Sequence, residues 1–385
     1  MKFYFAPLEG ITGYILRSTY HAHFEAADKY FIPFFTPTYT HKFGSKEMNE
    51  ILPEHNPGMY TVPQILTNNA DDFIWSVKWL QENGYNEVNL NLGCPSGTVT
   101  AKGKGAGFLG EPEKLDAFLD SVYSSLDMEF SIKTRVGTDY EEDWEYLMDI
   151  YEKYPIKELI IHPRLLKDHY KGKPRLELFR QGTERLSMPV GYNGNLFTKE
   201  AYKNFTEKFP QTEIFMFGRG IIANPGLLDE IRDGKAPDKK KLRAFHDRIY
   251  SQYQEILSGE RNVLFRMKEL WNYMAPEFSN YEKPAKKIKK SQHFSDYEAA
   301  VNLLFAQEWK PNGAGADRYL ERKGRNAYFY CRGRGDYPQG AENSSGKFHV
   351  PGDCGRGLWK FAGADKKGRS RPHSFGCKSS GNFRI

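Results

Sequence analysis

The sequence predicts a (β/α)8 barrel, in which eight parallel strands alternate with helices around a closed ring. Eight short apolar segments alternate with helix-like segments between residues 2 and 217. Seven of these segments end in polar or glycine positions at the same end. The first strand is followed by APLEGIT, whereas a doubly wound sheet, the alternative fold, normally has a glycine-rich turn there.

The predicted strands are residues 2–6, 30–36, 60–66, 87–92, 129–136, 158–162, 189–193 and 213–217. Helical spacing of apolar residues predicts helices between them, for example over 71–81 and 112–126. Thr198 is a suitable N-cap for the helix that follows it. An α/β barrel of this length fits the roughly 250 residues typical of the fold.

The fourth strand ends in NLNLGCPSG and carries the most unusual pattern. Asn89 and Asn91 fall on one face of the strand and apolar residues on the other. Two buried asparagines need hydrogen-bond partners, which a bound polar ligand could supply. Cys94 follows the strand directly; a buried cysteine that acts as a small apolar residue is the structural alternative.

Catalytic groups of such barrels lie at the carboxyl ends of the strands. Polar or glycine residues occur there in Pro7-Leu8-Glu9, Gln64, Cys94, Lys133 with Arg135, His162 with Arg164, Asn193-Gly194-Asn195 and Gly218-Arg219. Taken singly, Lys133 is explained by a snorkelling side chain, and His162 by a hydrogen-bonded core histidine. Together they favour a site for a flat, polar, phosphorylated cofactor, with the phosphate at the loops after strands seven and eight.

The chain resembles the tRNA-dihydrouridine synthases, the flavin-dependent family that reduces uracil bases in tRNA. The matching segments occur in family order between about residue 2 and about residue 305: APLEGIT, VPQIL, NLNLGCPSGTVTAKGKGAG, SIKTRVG, IIHPRLLKDHYKG, NGN and FGRGIIANPGLL. The resemblance implies an FMN-binding barrel, NADPH as the reductant and a helical tRNA-binding domain. Many members have Met at the position of Leu8 and an acidic residue at that of Asn195.

The resemblance also implies roles for individual residues. Cys94 is expected to be the general acid. FMN is expected to be bound by Pro7, Leu8, Glu9, Gln64, Lys133, His162, Asn193, Gly194, Asn195, Gly218 and Arg219. The substrate is expected to be bound by Asn91, Lys102, Lys104, Arg135, Arg164, Arg266 and Lys268.

The chemistry of uracil reduction supports the role of Cys94. In this family a hydride passes from flavin N5 to C6 of the base, and a proton is needed at C5. A thiol with an ordinary pKa of about 8.5 is mostly protonated at neutral pH and can donate that proton. Lys102 and Lys104 lie in a glycine-rich segment that we predict to be a mobile basic lid, a solvated loop being the alternative. The uridine is expected to leave its stack to reach the site.

After the barrel, residues 236–308 are predicted to form a helical tRNA-binding domain. Leu242, Phe245 and Ile249 begin an apolar stripe at helical spacing. Lysines cluster at 283, 286, 287, 289 and 290, where they could neutralise phosphates and make binding salt-dependent. The structural alternative is a solvated lysine face. The predicted barrel domain is therefore 1–235.

The net charge of +6 is unevenly distributed. Residues 309–385 hold 16 Lys and Arg but 6 Asp and Glu, which leaves 39 against 43 for residues 1–308. The same stretch has 14 of the 35 glycines and few aliphatic residues. We predict that it is either a disordered arm that binds nucleic acid or sequence from a non-native reading frame.

Composition also excludes several classes of protein. No apolar run approaches the roughly 20 residues that span a bilayer, and Pro7 and Glu9 interrupt the N-terminus too early for a signal peptide. The four cysteines are not closely paired in the sequence, which indicates neither a disulfide framework nor a zinc site.

We expect a cytoplasmic, metal-free monomer. The functional alternatives are an FMN barrel oxidoreductase acting on a free small molecule such as dihydroorotate, and a tRNA-binding protein without catalysis.

Overall fold

The computed structural model describes residues 1–38, 40–235 and 237–315. Within these residues eight parallel strands close into a barrel in sequence order. The strands are β1 Lys2–Phe5, β2 Lys29–Phe35, β3 Thr61–Ile65, β4 Val88–Leu92, β5 Phe130–Arg135, β6 Leu159–His162, β7 Val190–Tyr192 and β8 Ile214–Phe217. The predicted barrel is confirmed, and every strand end lies within one residue of its predicted position. The doubly wound alternative is excluded.

Helices connect the strands on the outside of the barrel. They are α1 Tyr14–His23, α2 Ser45–Ile51, α3 Ala70–Glu82, α4 Gly97–Thr100, α5 Pro112–Tyr123, α6 Asp143–Tyr151, α7 Leu176–Arg185, α8 Lys199–Lys208, α9 Arg219–Ala223 and α10 Leu227–Asp233. Short 3-10 helices occupy Pro53–His55, Gly105–Gly110 and Leu166–Asp168. Side-chain caps fix some helix starts: Asn69 Oδ1 accepts from Asp72 N at 2.8 Å, and the Thr198 hydroxyl accepts from Ala201 N at 3.1 Å.

Strand alternation divides the barrel lumen into an apolar and a polar part. Every second side chain points inward, and the apolar inward set is Tyr4, Ala6, Phe31, Val62, Ile160, Ile214 and Met216. On β4 and β5 the inward positions are polar: Asn89, Asn91, Ser131, Lys133 and Arg135. The wall of the lumen formed by β4 and β5 is thus polar.

Four further helices follow the barrel. They are α11 Lys239–Ile256, α12 Glu260–Met274, α13 Glu282–Lys290 and α14 Phe294–Phe305, with a 3-10 turn at Ala275–Glu277. These helices contact the barrel, for example where Thr19 Oγ1 donates to Gln252 Oε1 at 2.7 Å. The predicted helices after the barrel are therefore present.

The segment from Trp309 to Gly315 packs against these helices. Trp309 pairs with Phe278 in an isolated antiparallel bridge, and their ring centroids are 4.7 Å apart. The buried Glu277 carboxylate accepts backbone N–H groups from residues 312, 313 and 315. Residues 309–315, which belong to the predicted tail, are therefore packed against the helices, and the rest of that prediction lies outside the described residues.

Membrane insertion was not expected from the sequence. Within the described ranges, no helix combines the length and the apolar character that a membrane crossing requires.

Candidate functional site

Cys94 lies immediately beyond β4, and its backbone is fixed on both sides. Its N–H and that of Gly93 donate to Asn91 Oδ1 at 2.9 and 3.0 Å. Its carbonyl accepts from Ala106 N at 3.0 Å. Gly105 has φ +57°, and an added Cβ would lie 2.9 Å from the Cys94 carbonyl oxygen, so only glycine fits there. The backbone of Cys94 therefore has a defined position at the mouth.

The predicted mobile lid instead forms packed structure beside Cys94. The segment folds into α4 and the 3-10 helix Gly105–Gly110, whose Phe108 and Leu109 are buried. Lys102 is exposed, and Lys104 is half-buried with a pKa lowered by burial. Both lysines remain near Cys94 in sequence, but their backbone belongs to a fixed turn. The expected substrate contacts of these two lysines stay predictions.

The asparagines of β4 bond to other side chains of the lumen. Asn91 Nδ2 donates to Gln64 Oε1 at 2.7 Å, and Gln64 Nε2 donates to Asn89 Oδ1 at 2.7 Å. Gln64 and Asn89 are fully buried. The expectation that a ligand supplies the partners of the asparagines is therefore wrong for Asn89. Asn91 and Gln64 each keep one amide N–H that these bonds do not use.

Lys133 points into the same mouth and is a half-buried cation. Burial lowers its pKa to about 7, the charge of Arg135 lowers it further, and Cys94 acts in the opposite direction. In the described part of the chain no carboxylate lies within ion-pair distance of its ammonium. A cation held without a counterion is suited to meet an anionic group of a ligand.

We expect Lys133→Met to raise the melting temperature of the flavin-free protein at about pH 6, by roughly 2–4 °C. The pKa of Lys133 is about 7 in the folded protein, below its ordinary value of 10.5. The cost of burying the ammonium is therefore present in full below about pH 7 and declines as the pH rises toward 10.5. Thermal unfolding at about pH 6 and about pH 9 tests this sign; an advantage that does not shrink at the higher pH contradicts it.

Arginines surround His162 at the end of β6. Burial first, and then the charges of Arg135, Lys133, Arg164 and Arg219, hold the pKa of His162 well below its ordinary value. His162 Nε2 lies 2.9 Å from Arg164 Nη1. A guanidinium can only donate, so Nε2 accepts and the proton of the neutral ring is on Nδ1. His162 thus offers an N–H donor from Nδ1.

The guanidinium of Arg164 donates hydrogen bonds to other groups of the protein. It is fully buried and donates to the carbonyls of Lys171 and Gly172 as well as to His162 and Asn195. The expected direct contact of Arg164 with substrate stays a prediction. Arg164 orients His162 and Asn195.

Asn195 joins the loops after strands six, seven and eight. Its Oδ1 accepts from Arg164 Nη2 at 3.2 Å and from Arg219 Nη2 at 3.3 Å. An acidic residue would serve the same acceptor function, which explains how asparagine can replace one here. Asn193 Nδ2 donates to the Met216 carbonyl at 2.8 Å and so ties β7 to β8.

Tyr170 is a residue of the mouth that the sequence did not single out. Its ring lies 5.3 Å from the Arg135 guanidinium carbon and 5.4 Å from that of Arg219, distances typical of cation–π contacts. Arg135 itself is buried and donates to the carbonyls of Gly93 and Leu165 at 3.0 and 2.9 Å. The sequence feature that could have indicated Tyr170 is an aromatic residue shortly after the IIHPR segment.

The loop after β1 closes the opposite side of the mouth. Leu8 Cδ1 lies 3.4 Å from the position of a Cβ on Gly218, so the loops after β1 and β8 meet. Glu9 pairs with Lys46 at 2.7 Å, a partner the sequence did not predict. The FMN contacts expected of Pro7, Leu8 and Glu9 stay predictions, as do those of Gly194 and Gly218.

Two basic residues of α12 differ in position. Arg266 Nη1 donates to the Gly10 carbonyl at 3.0 Å, which places it beside the loop after β1. Lys268 Nζ donates to the Ser291 carbonyl, and burial lowers its pKa. Arg266 is therefore near the mouth, whereas Lys268 links α12 to the end of α13.

Fold and site together define a (β/α)8 barrel protein with a cysteine and a group of cationic side chains at its carboxyl-end mouth. Among the described residues, no cluster of three or more metal-ligating side chains occurs. The family model described as "Dihydrouridine synthase (Dus)" matches residues 4–305. The chain belongs to the dihydrouridine synthase family.

Curated relatives are similar over part of their length. The tRNA-dihydrouridine(20/20a) synthase of Vibrio cholerae is 27% identical over 209 residues, covering 50% of this chain and 63% of the relative. A probable tRNA-dihydrouridine synthase 1 of Synechocystis is 26% identical over 273 residues, covering 69% and 76%. The chain thus spans less than two thirds of the first of these relatives. Among solved structures, a morphinone reductase has a TM-score of 0.45 and 14% identity, covering 62% of this chain and 88% of that one.

Proposed function

We propose that the protein is an FMN-dependent tRNA-dihydrouridine synthase that uses NADPH to reduce the C5–C6 double bond of uridines in tRNA, in the cytoplasm. The observation that carries the proposal is the position of Cys94 at the end of β4, next to Gly93. The Gly93 carbonyl accepts from Arg135 Nε at 3.0 Å, and Lys133 Nζ lies 3.9 Å from the position of a Cβ on Gly93. The family match over residues 4–305 supports the reaction type.

The residues of the mouth fit a flat, phosphorylated flavin. Arg219 and the Nδ1–H of His162 provide donors on one side, and Gln64 keeps an amide N–H on the other. The unpaired ammonium of Lys133 suits the electron-rich edge of the ring. We propose that these residues, with Pro7–Glu9, Asn193–Asn195 and Gly218, bind FMN. When bound, FMN supplies the hydride that is transferred to C6 of the uracil.

The chain itself supplies the second half of the reduction. The thiol of Cys94 gives its proton to C5 of the base and becomes a thiolate. Lys133 and Arg135 lie beside the adjacent Gly93 and stabilise that thiolate electrostatically. The Ala106 N–H, which donates to the Cys94 carbonyl at 3.0 Å, holds the backbone of the proton donor in place.

We further propose that helices α11 to α14 form the tRNA-binding domain. Lysines 283, 286, 287, 289 and 290 of α13 are all exposed, as phosphate contacts require. Arg266 reaches the loop after β1, so the same helical layer extends to the barrel mouth. An RNA bound along α13 and α12 would be led toward Cys94.

The proposed activity is tested with purified protein and tRNA from a strain that lacks dihydrouridine. With FMN and NADPH, we expect dihydrouridine in the tRNA and a yellow protein that oxidises NADPH slowly when alone. Nucleoside mass spectrometry measures the product, and sequencing of treated tRNA locates the position. Reduction of free pyrimidines without any reaction on tRNA would replace the proposal by a small-molecule oxidoreductase. A protein that binds tRNA but never retains flavin would indicate a non-catalytic binder.

A further inference from the structure

A line of side-chain hydrogen bonds runs down the lumen from Cys94. The N–H groups of Cys94 and Gly93 donate to Asn91 Oδ1 at 2.9 and 3.0 Å. Asn91 Nδ2 donates to Gln64 Oε1, and Gln64 Nε2 donates to Asn89 Oδ1, both at 2.7 Å. Gln64 and Asn89 have no exposed surface, so water cannot replace a lost partner there.

The line continues to the floor of the barrel. Asn89 Nδ2 donates to Ser131 Oγ at 2.9 Å. The Ser131 hydroxyl in turn lies 3.3 Å from Glu87 Oε1 and 3.3 Å from the Val88 carbonyl. Glu87 is 1% exposed and is ion-paired with Lys29, whose Nζ lies 2.9 Å from Oε2. The line therefore ends at a buried, fixed charge.

Both ends of this line determine the orientation of every amide in it. At the mouth, two backbone N–H groups can only donate, so Asn91 must present its oxygen to them. At the floor, a carboxylate and a carbonyl can only accept, so Ser131 must donate downward and accept from Asn89. The side-chain amides of Asn91, Gln64 and Asn89 therefore have only one consistent orientation. Rotating any one of them by 180° would place its NH2 group against another hydrogen-bond donor.

We propose that Asn89 and Ser131 are positioning residues for Cys94, because they hold the amide of Asn91 in the orientation that fixes the backbone of the proton donor. This inference rests on the proposed function for the role of Cys94 as acid. It assigns a task to two fully buried residues that lie below the mouth and touch neither substrate nor cofactor in the proposed scheme.

Positioning of Cys94 matters because proton transfer takes place only over a short distance. A donor must lie within about 3 Å of the accepting atom, and a misplacement of about 1 Å can lower the rate by about a hundredfold. Asn91 Oδ1 is one of the groups that hold the Cys94 backbone, and the Ala106 N–H is another. When the amides below Asn91 lose their fixed order, the contact made by Asn91 loosens.

The experiment compares Ser131→Ala with the wild-type full chain, loaded with FMN. The first measurement is the rate at which iodoacetamide alkylates Cys94, followed by mass spectrometry of the peptide that contains it; it does not depend on activity. The second is the kcat and KM for tRNA. We expect the alkylation rate to change at least about threefold and kcat to fall about tenfold, with KM within about twofold of wild type.

The controls separate positioning from loss of stability. Ser76→Ala removes another fully buried serine hydroxyl, which donates to the Asp72 carbonyl at 2.7 Å within α3 and is outside the line; it should leave both measurements unchanged. Ser131→Thr keeps the hydroxyl and should restore them. Asn89→Leu removes the link nearer to Cys94 and should have the larger effect; Ser131→Ala alone decides if that variant does not fold.

Three outcomes are decisive. Wild-type alkylation and kcat in Ser131→Ala overturn the proposal. Equal effects from Ser76→Ala and Ser131→Ala overturn it too, because they indicate a general loss of stability. Changed alkylation in Ser131→Ala, in a protein whose wild type makes no dihydrouridine, supports the positioning role and overturns the proposed function instead.

Discussion

Replacing Cys94 by Ala is expected to stop dihydrouridine formation while leaving the flavin spectrum intact. A general acid contributes about a hundredfold or more to the rate, and no other thiol occurs among the described residues. The side chain is partly exposed at the mouth, so truncation leaves little unfilled volume in the core. Turnover on tRNA, measured as dihydrouridine formed per enzyme, should fall by about a hundredfold or more.

Two matched variants make this result specific. Cys94→Ser keeps the size of the side chain but replaces the thiol with a much weaker acid, so it should also be inactive. Thr98→Ala changes an exposed residue of the adjoining turn and should be as active as wild type. If Cys94→Ala turned over tRNA normally, Cys94 would have no part in the chemistry.

Replacing Gly315 by Ala is expected to destabilise the helical part by roughly 3–5 kcal/mol, the usual cost of leaving a buried charge without partners. A Cβ on Gly315 would lie 1.9 Å from the Tyr273 carbonyl oxygen. The helix backbone cannot move that far, so residues 312–315 must leave. Glu277, which is 1% exposed, then loses the three N–H groups that it accepts at 2.6, 3.1 and 2.6 Å.

The pH dependence of this loss has a definite sign. Burial raises the pKa of Glu277, and the three backbone N–H groups oppose that rise. Without them the pKa rises further, so the folded variant takes up a proton more readily than the unfolded chain. The destabilisation should therefore be larger at about pH 7 than at about pH 5, as measured by denaturant unfolding.

Controls are available within the same chain. Gly259 has φ +80° with nothing within 4 Å of an added Cβ, so Gly259→Ala should cost only roughly 1–2 kcal/mol. Adding Glu277→Gln to Gly315→Ala should recover part of the loss, because it removes the buried charge. A Gly315→Ala protein no less stable than Gly259→Ala would show that residues 312–315 do not hold Glu277.

The barrel was predictable because each of its segments carries a local signal. Strands alternate or are continuously apolar, and helices repeat near 3.6 residues, so the order of elements is visible along the chain. Cys94 was predictable for the same reason, since it directly follows a strand. Residues 309–315 were not, because Trp309, Gly313 and Gly315 make their contacts with Glu277, Phe278 and Tyr273, more than 30 residues earlier.

By itself the sequence determined the eight-stranded barrel, the family and the strand ends on which the proposed site lies. Only the tertiary structure decided the partners of the polar residues in the lumen. Asn91 donates to Gln64, Gln64 donates to Asn89, and Asn89 donates to Ser131, whose hydroxyl lies 3.3 Å from Glu87 Oε1. It likewise showed that Asn195 joins Arg164 to Arg219. The physical reason is that periodicity fixes which face of a strand a side chain occupies, whereas hydrogen-bond partners depend on which other strands share that lumen.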